Sequence, residues 1–227
     1  MDKRILIYGA GGHAKTVISL LRLLGWEIAG IVDDGVPAGK LVSGVPVLGS
    51  AAVLPDLRSD GVADAVNAVG GIGNYAIRWK IFERLKTLDF RFPTLIHPSA
   101  FIEDTVTLAD GIQVLAQSYI SSESSVGFGT LINAGAVISH DGKIGCCVNL
   151  SPGALLAGEV TAADFSQIGM GATINLGVRI GERARVGNGA TVKSDVPDDG
   201  RVYAGTVWPP FSGKAAPPGK QNYRKIA

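Results

Sequence analysis

From Ile96 onward an aliphatic side chain returns at every sixth position. The phase holds through Ile102, Leu108, Val114, Ile120, Val126, Ile132, Ile138, Ile144, Leu150, Leu156, Ala162, Ile168, Ile174, Ile180, Val186 and Val192. Ala162 is the one member that is not a branched aliphatic. Four residues behind each station runs a second set of mostly small or β-branched residues, including Ala100, Val106, Ser118, Thr130, Ala136, Val148, Ala154, Ala172, Ala184 and Ala190. Alternation along a strand sends both sets to one side and leaves the intervening positions facing out. A period of six matches neither 3.6 nor 3.5, and sandwich strands would not hold one phase so long. The pattern predicts an all-β parallel β-helix over residues 93–200, with three hexads in a coil of about 18 residues.

Ahead of the repeats the pattern changes to that of an α/β domain, residues 1–92. A buried strand is expected over 4–9, a helix over about 15–24 and a second strand over 27–32 that ends in Asp33-Asp34-Gly35. A further strand over 63–69 leads into Gly70-Gly71-Ile72-Gly73-Asn74 and an amphipathic helix carrying Arg78. The turn Gly9-Ala10-Gly11-Gly12-His13-Ala14 satisfies the relaxed dinucleotide fingerprint, with an acid some twenty residues later. A domain of about 90 residues, however, holds one nucleotide-binding half and not the pair that a dinucleotide spans. A Rossmann-like domain for a diphosphate is therefore expected over a small dehydrogenase, which NAD binding would reveal. Gly11, Gly12, His13 and Lys15 sit where helix N–H groups favour phosphate. Asp33 and Asp34 are placed to accept from a base or ribose, or to form a solvated turn. Gly70 borders the same crevice.

Composition narrows the partners. The 227 residues carry a formal charge of +1, with 46% hydrophobic and 18% charged residues, so neither nucleic acid nor an acidic membrane surface is expected as a partner. No segment reaches membrane-spanning length and the start lacks a secretory pattern, so a cytoplasmic protein is expected. The two cysteines, Cys146 and Cys147, are adjacent, a spacing that fits neither a zinc site nor a redox CxxC, and no metal is expected.

The hexads resemble the hexapeptide-repeat transferases, whose coils are left-handed. The whole chain resembles the NeuD-like sialic acid O-acetyltransferase family, including PglD- and PerB-like N-acetyltransferases acting on nucleotide-linked 4-amino sugars. The resemblance rests on the order of GxGGHxK, Asp-Asp-Gly, Gly-Ile-Gly-Asn…Arg, Leu95-Ile96-His97-Pro98-Ser99-Ala100 and Ile132-Asn133-Ala134-Gly135-Ala136-Val137-Ile138-Ser139-His140-Asp141. It implies a homotrimer, with acetyl-CoA between neighbouring β-helices and the nucleotide sugar on the N-terminal domain. His140 falls at a mid-stack corner outside both inward phases, where a histidine has no packing purpose. An attacking amine or hydroxyl must lose a proton, which an imidazole is suited to take, so His140 is the expected general base. Asp141 orients it if the turn brings the two together.

The family further implies a cofactor set of Asn133, Asn149, Gly158, Met170 and the Gly187-Asn188-Gly189 turn. Asn133 is also an ordinary corner residue. Gly158, one coil above His140, is expected to admit the pantetheine arm. Asn149 stands where many relatives have a second histidine. In the tail, residues 201–227, Gly205-Thr206-Val207-Trp208-Pro209-Pro210-Phe211 replaces the family's Gly-x-Pro-Ala-Lys, and the tail is expected to be only partly ordered. Trp208 either stacks on adenine or caps the last coil. The cysteines and serines form no visible triad, so direct attack on the thioester is expected. Sugar O-acetylation and a non-catalytic nucleotide-sugar-binding trimer are the alternatives.

Overall fold

The computed structural model describes residues 3–73 and 75–210. Its N-terminal domain runs β1 (Arg4–Tyr8), α1 (Gly12–Leu23), β2 (Glu27–Val32), β3 (Leu41–Val42), β4 (Val45–Gly49), α2 (Leu54–Ser59), β5 (Asp64–Asn67) and α3 (Tyr75–Lys86). The sheet order is β3-β4-β2-β1-β5, parallel except for β3, which pairs antiparallel with β4. Buried Ala14, Val17, Ile18, Leu20 and Leu21 give α1 the apolar stripe that holds it to this sheet. α1 begins at Gly12, before the expected start, because the Gly11 carbonyl already accepts the Ala14 N–H. The short β3–β4 hairpin and α2 carry too little periodicity to be expected. β1-α1-β2 is followed in the same sheet by a second parallel crossover, β4-α2-β5.

The hexads form a triangular parallel β-helix, left-handed as in the hexapeptide transferases. Its first face has seven two-residue strands from Leu95–Ile96 to Arg201–Val202, and its second seven from Phe101–Ile102 to Val207–Trp208. The third face has five, from Thr107–Leu108 to Arg179–Ile180. Tyr119 pairs with Val137 and Val137 with Leu155, so residues one coil apart stack directly. The six-residue stations from Val114 to Val192, Ala162 among them, are buried in one continuous core. Small side chains at the second phase let the three faces close, and its buried hydroxyls mostly bond to backbone, Ser166 excepted. Thr130 donates to the Gly145 carbonyl and accepts the Val148 N–H.

Corners close through a left-handed residue. Glycine takes that position at 129, 135, 153, 171, 177 and 189, and Gln117, Glu123, Asp141, Cys147, Glu159, Phe165 and Arg183 take it with φ between 50° and 62°. The strands at 201–202 and 207–208 continue the stack beyond residue 200, so the boundary expected there falls inside the last coil. Trp208 packs against the core and donates its indole N–H to the Asp195 carbonyl, which makes it a cap. Of the expected tail, residues 211–227 lie outside the described residues. Among the described residues no helix is long and apolar enough to cross a membrane.

α3 docks the two domains. Phe82 and Trp79 meet Phe128 edge-on, and Trp79 meets Phe165. Arg78 is fully buried and donates to the carbonyls of Val69, in its own domain, and Gly129, in the β-helix. Among the described residues no carboxylate pairs with it, and burial pulls its pKa below the usual arginine value.

Candidate active site

The candidate residues gather in two places. The first is the seam between the carboxyl edge of the α/β sheet and the first face of the β-helix. There His13, Gly70, Gly71, Leu131, Asn133, Asn149 and Ser151 line a cavity of about 210 Å³. The glycine is required: a Cβ on Gly71 would fall 2.1 Å from Oδ1 of Asn149. Asn149 is buried and donates to Ser151 Oγ, so it packs under the N-terminal domain of its own chain.

His13 is tied to the β-helix through Gln113. Gln113 donates from Nε2 to the Asn67 carbonyl, which leaves its Oε1 as an acceptor 2.8 Å from His13 Nε2. The imidazole is therefore protonated on Nε2, and its Nδ1 is the acceptor. Burial is the first cause pulling its pKa below the ordinary histidine value, and nearby Arg78 adds to it. The positive character at this edge comes from the first-turn N–H groups of α1 and exposed Lys15. Gly11 and Gly12 leave the approach open, since a Cβ on either meets nothing within 4 Å.

Asp33 and Asp34 are engaged within the domain. Asp33 accepts the Ala10 and Gly35 N–H groups at 2.7 and 2.8 Å, bracing the glycine turn. Asp34 accepts from the Ala51 N–H, the Tyr8 hydroxyl and Arg84. Those contacts, the Ala51 N–H first, hold its carboxyl below the usual range, while burial and Asp34 push Tyr8 up to about 12. Both carboxylates brace the strand-end turns of this domain.

The second place is the corner between the second and third faces. Asp141 has φ 59°, and this left-handed turn brings neighbouring side chains together that would diverge on a strand. His140 Nδ1 lies 2.7 Å from Asp141 Oδ2, with both side chains about half exposed, 56% and 53%. Gly158 stacks on the ring, and a Cβ there would sit 2.5 Å from Cε1 and Nε2. The glycine thus makes room for the imidazole itself. A groove of about 430 Å³, lined by Val137, Ser139, Leu155, Ala157, Asn175 and Leu176, runs beside it.

One cluster at this corner was not expected. Glu103 accepts the Ser122 N–H at 2.7 Å and the hydroxyls of Ser122, Tyr119 and Ser121. The Ser122 hydroxyl and then Tyr119 hold its carboxyl down at about 2. The Ser122 carbonyl in turn accepts the Asp141 N–H, so the cluster supports the His140 turn from below. Its only sequence signal is the hydroxyl-rich run from Ser121 to Ser125.

The expected cofactor residues divide between these places. Asn133, Met170 and Asn188 occupy the corner between the first and second faces, where Asn133 accepts the Ala134 N–H and Asn188 accepts the Met170 N–H. His140 and Gly158 occupy the next corner. One chain therefore does not join the seam cavity to His140. The cysteines add no nucleophile: burial raises both thiols, Cys147 to about 11.

Residues 4–85 match the family model described as PglD N-terminal domain. The chain is similar to PerB from Caulobacter crescentus in complex with CoA and GDP-perosamine, with 37% identity, TM-score 0.82, and 88% of this chain and 93% of that one covered. It is similar to the acetyltransferase domain of PglB from Neisseria gonorrhoeae in complex with acetyl coenzyme A, with 32% identity, TM-score 0.82, and 91% and 98% covered. WeeI from Acinetobacter baumannii matches with 26% identity, TM-score 0.73, and 89% and 94% covered.

Proposed function

The chain belongs to the PglD- and PerB-like sugar acetyltransferases with a hexapeptide-repeat β-helix, and from that premise we propose that it N-acetylates a nucleotide-linked 4-amino sugar with His140 as general base. It is an acetyltransferase that uses acetyl-CoA as co-substrate. The observation that carries the proposal is the His140–Asp141 contact at an exposed corner, with Gly158 clearing space for the ring.

Asp141 accepts from Nδ1–H, which leaves the Nε2 lone pair free to take a proton. The sugar amine attacks the thioester carbon and gives its proton to Nε2. The imidazolium then protonates the departing thiolate. Acetyl-CoA supplies the activated acyl group. The apolar groove beside the corner suits a chain with few charges, and the Gly158 N–H, which has no acceptor among the described residues, is available to the thioester oxygen. No covalent enzyme intermediate is involved.

The nucleotide diphosphate binds at the open Gly11–Gly12 start of α1, and the sugar reaches along the seam past Asn133. Because the seam and His140 lie on different corners, the site is completed by a neighbouring chain in a homotrimer. Asn149, in place of a histidine, serves the seam by packing against Gly71 and is not needed for proton transfer. Thiol release from acetyl-CoA, followed across UDP-, GDP- and dTDP-linked 4-amino sugars with mass analysis of the product, tests the proposal. One sugar should gain an acetyl group on nitrogen; no turnover with any of them, or acetyl on oxygen, would refute it.

A further inference from the structure

Asp104, Ser122, His140, Gly158 and Leu176 stand one above another at the corner between the second and third faces, one in each successive coil. Ser122 is the member directly below His140, one strand spacing or about 4.8 Å down the stack. Among the described residues the backbone N–H groups of Asp104, His140, Gly158 and Leu176 have no acceptor, whereas that of Ser122 donates to Glu103 Oε2 at 2.7 Å. The coil therefore closes this corner four times without a side-chain acceptor, and the fold does not require one at Ser122. Nor does the repeat call for an acid there: the positions stacked above Glu103 are Ser121, Ser139, Ala157 and Asn175.

The Ser122 backbone is held on its other side as well, because its carbonyl accepts the Asp141 N–H at 3.0 Å. Asp141 carries the left-handed turn whose carboxylate lies 2.7 Å from His140 Nδ1. A continuous path of hydrogen bonds thus runs from Glu103 through Ser122 and the Asp141 turn to the imidazole. The hydroxyls of Ser122 and Tyr119 donate to the same carboxylate, the Ser122 hydroxyl first among the causes that hold its pKa at about 2. Glu103 is therefore ionised wherever an imidazole works as a base, and its bonds to Ser122 are of the stronger, charge-assisted kind.

We infer that Glu103 is a positioning residue for proton removal: it fixes the Ser122 backbone, from which the Asp141 turn hangs, and so keeps the His140 ring in one orientation. The inference rests on the reading of His140 as general base and adds a residue that acts through that ring and not on the substrates. Drift of a base by as little as about 1 Å costs tenfold or more in rate, which sets the size of the effect.

The test compares full-length Glu103→Ala and Glu103→Gln with the parent, and repeats Glu103→Ala in the His140→Ala background. For each, kcat and both KM values are measured with acetyl-CoA and the accepted nucleotide amino sugar, alongside thermal melts. Glu103→Ala should lower kcat about tenfold with both KM values within twofold of the parent. Glu103→Gln keeps an acceptor oxygen for the Ser122 N–H and should recover most of that loss. In the His140→Ala background Glu103→Ala should change the rate less than twofold, because no ring is left to hold. If Glu103→Ala melts below the assay temperature, Glu103→Asp, one methylene too short to reach the Ser122 N–H, carries the same expectation. A tenfold loss that persists without His140, a raised sugar KM at unchanged kcat, or kcat within twofold of the parent would overturn the inference. Near-normal kcat in His140→Ala alone would overturn the general-base reading and this inference with it, an outcome distinct from the other three.

Discussion

Gly158 lies against the imidazole of His140 so closely that a single added methyl at 158 would overlap Nε2 and Cε1, both 2.5 Å away. The obstructed group is the end of a half-exposed side chain, which swings aside at little cost to the fold. Gly158→Ala should therefore leave the melting temperature nearly unchanged while lowering kcat by about 10- to 100-fold, the effect of a misplaced base. Parallel thermal melts and steady-state rates check this. A large loss of stability would mean that the ring is fixed by more than the glycine.

Asp141 has two separable tasks, closing a left-handed turn and holding Nδ1. Asparagine tolerates that backbone conformation, so Asp141→Asn should fold normally and lose roughly tenfold or more in kcat with little change in substrate KM. Asp141→Ala should lose the same activity and, in addition, about 1 kcal/mol of stability from the strained turn. Comparing kcat and unfolding free energy for the two variants resolves the tasks.

The repeat was legible because its period is written directly in the order of residues, and His140 because a histidine at a mid-stack corner has no packing reason. Contacts that depend on distant partners were not. His13 meets Gln113 from 100 positions away, and Glu103 meets Ser121 and Ser122 from the coil above. The turn-bracing contacts of Asp33 and Asp34 are not legible, because a strand-end acid looks the same in sequence whether it brackets a turn or awaits a ligand. That Gly158 faces the His140 ring emerges only once stacking and rotamer are known.

Arg78 joins the domains through the carbonyls of Val69 and Gly129. Arg78→Ala strands both acceptors and opens a cavity, and should cost about 3–5 kcal/mol, read by denaturant unfolding. Arg78→Lys should not restore it, because an ammonium cannot span both carbonyls as the guanidinium fork does.

His13 sets an acid sensitivity. Its folded-state pKa lies below the ordinary value of 6.5, so the unfolded chain binds its proton first as pH falls. Stability from this site is complete above pH 6.5 and declines from there toward the lowered folded value. His13→Gln should flatten the stability profile just below pH 6.5, measured by urea unfolding at stepped pH. An unchanged slope would show that the imidazole is not held neutral.

Proton removal by His140 is read most directly from kcat of His140→Ala with acetyl-CoA and the accepted nucleotide amino sugar both saturating, alongside calorimetric affinities for each. If His140 is the base, kcat falls at least about 100-fold with both affinities within a few fold of the parent. Near-normal kcat in that variant would contradict it.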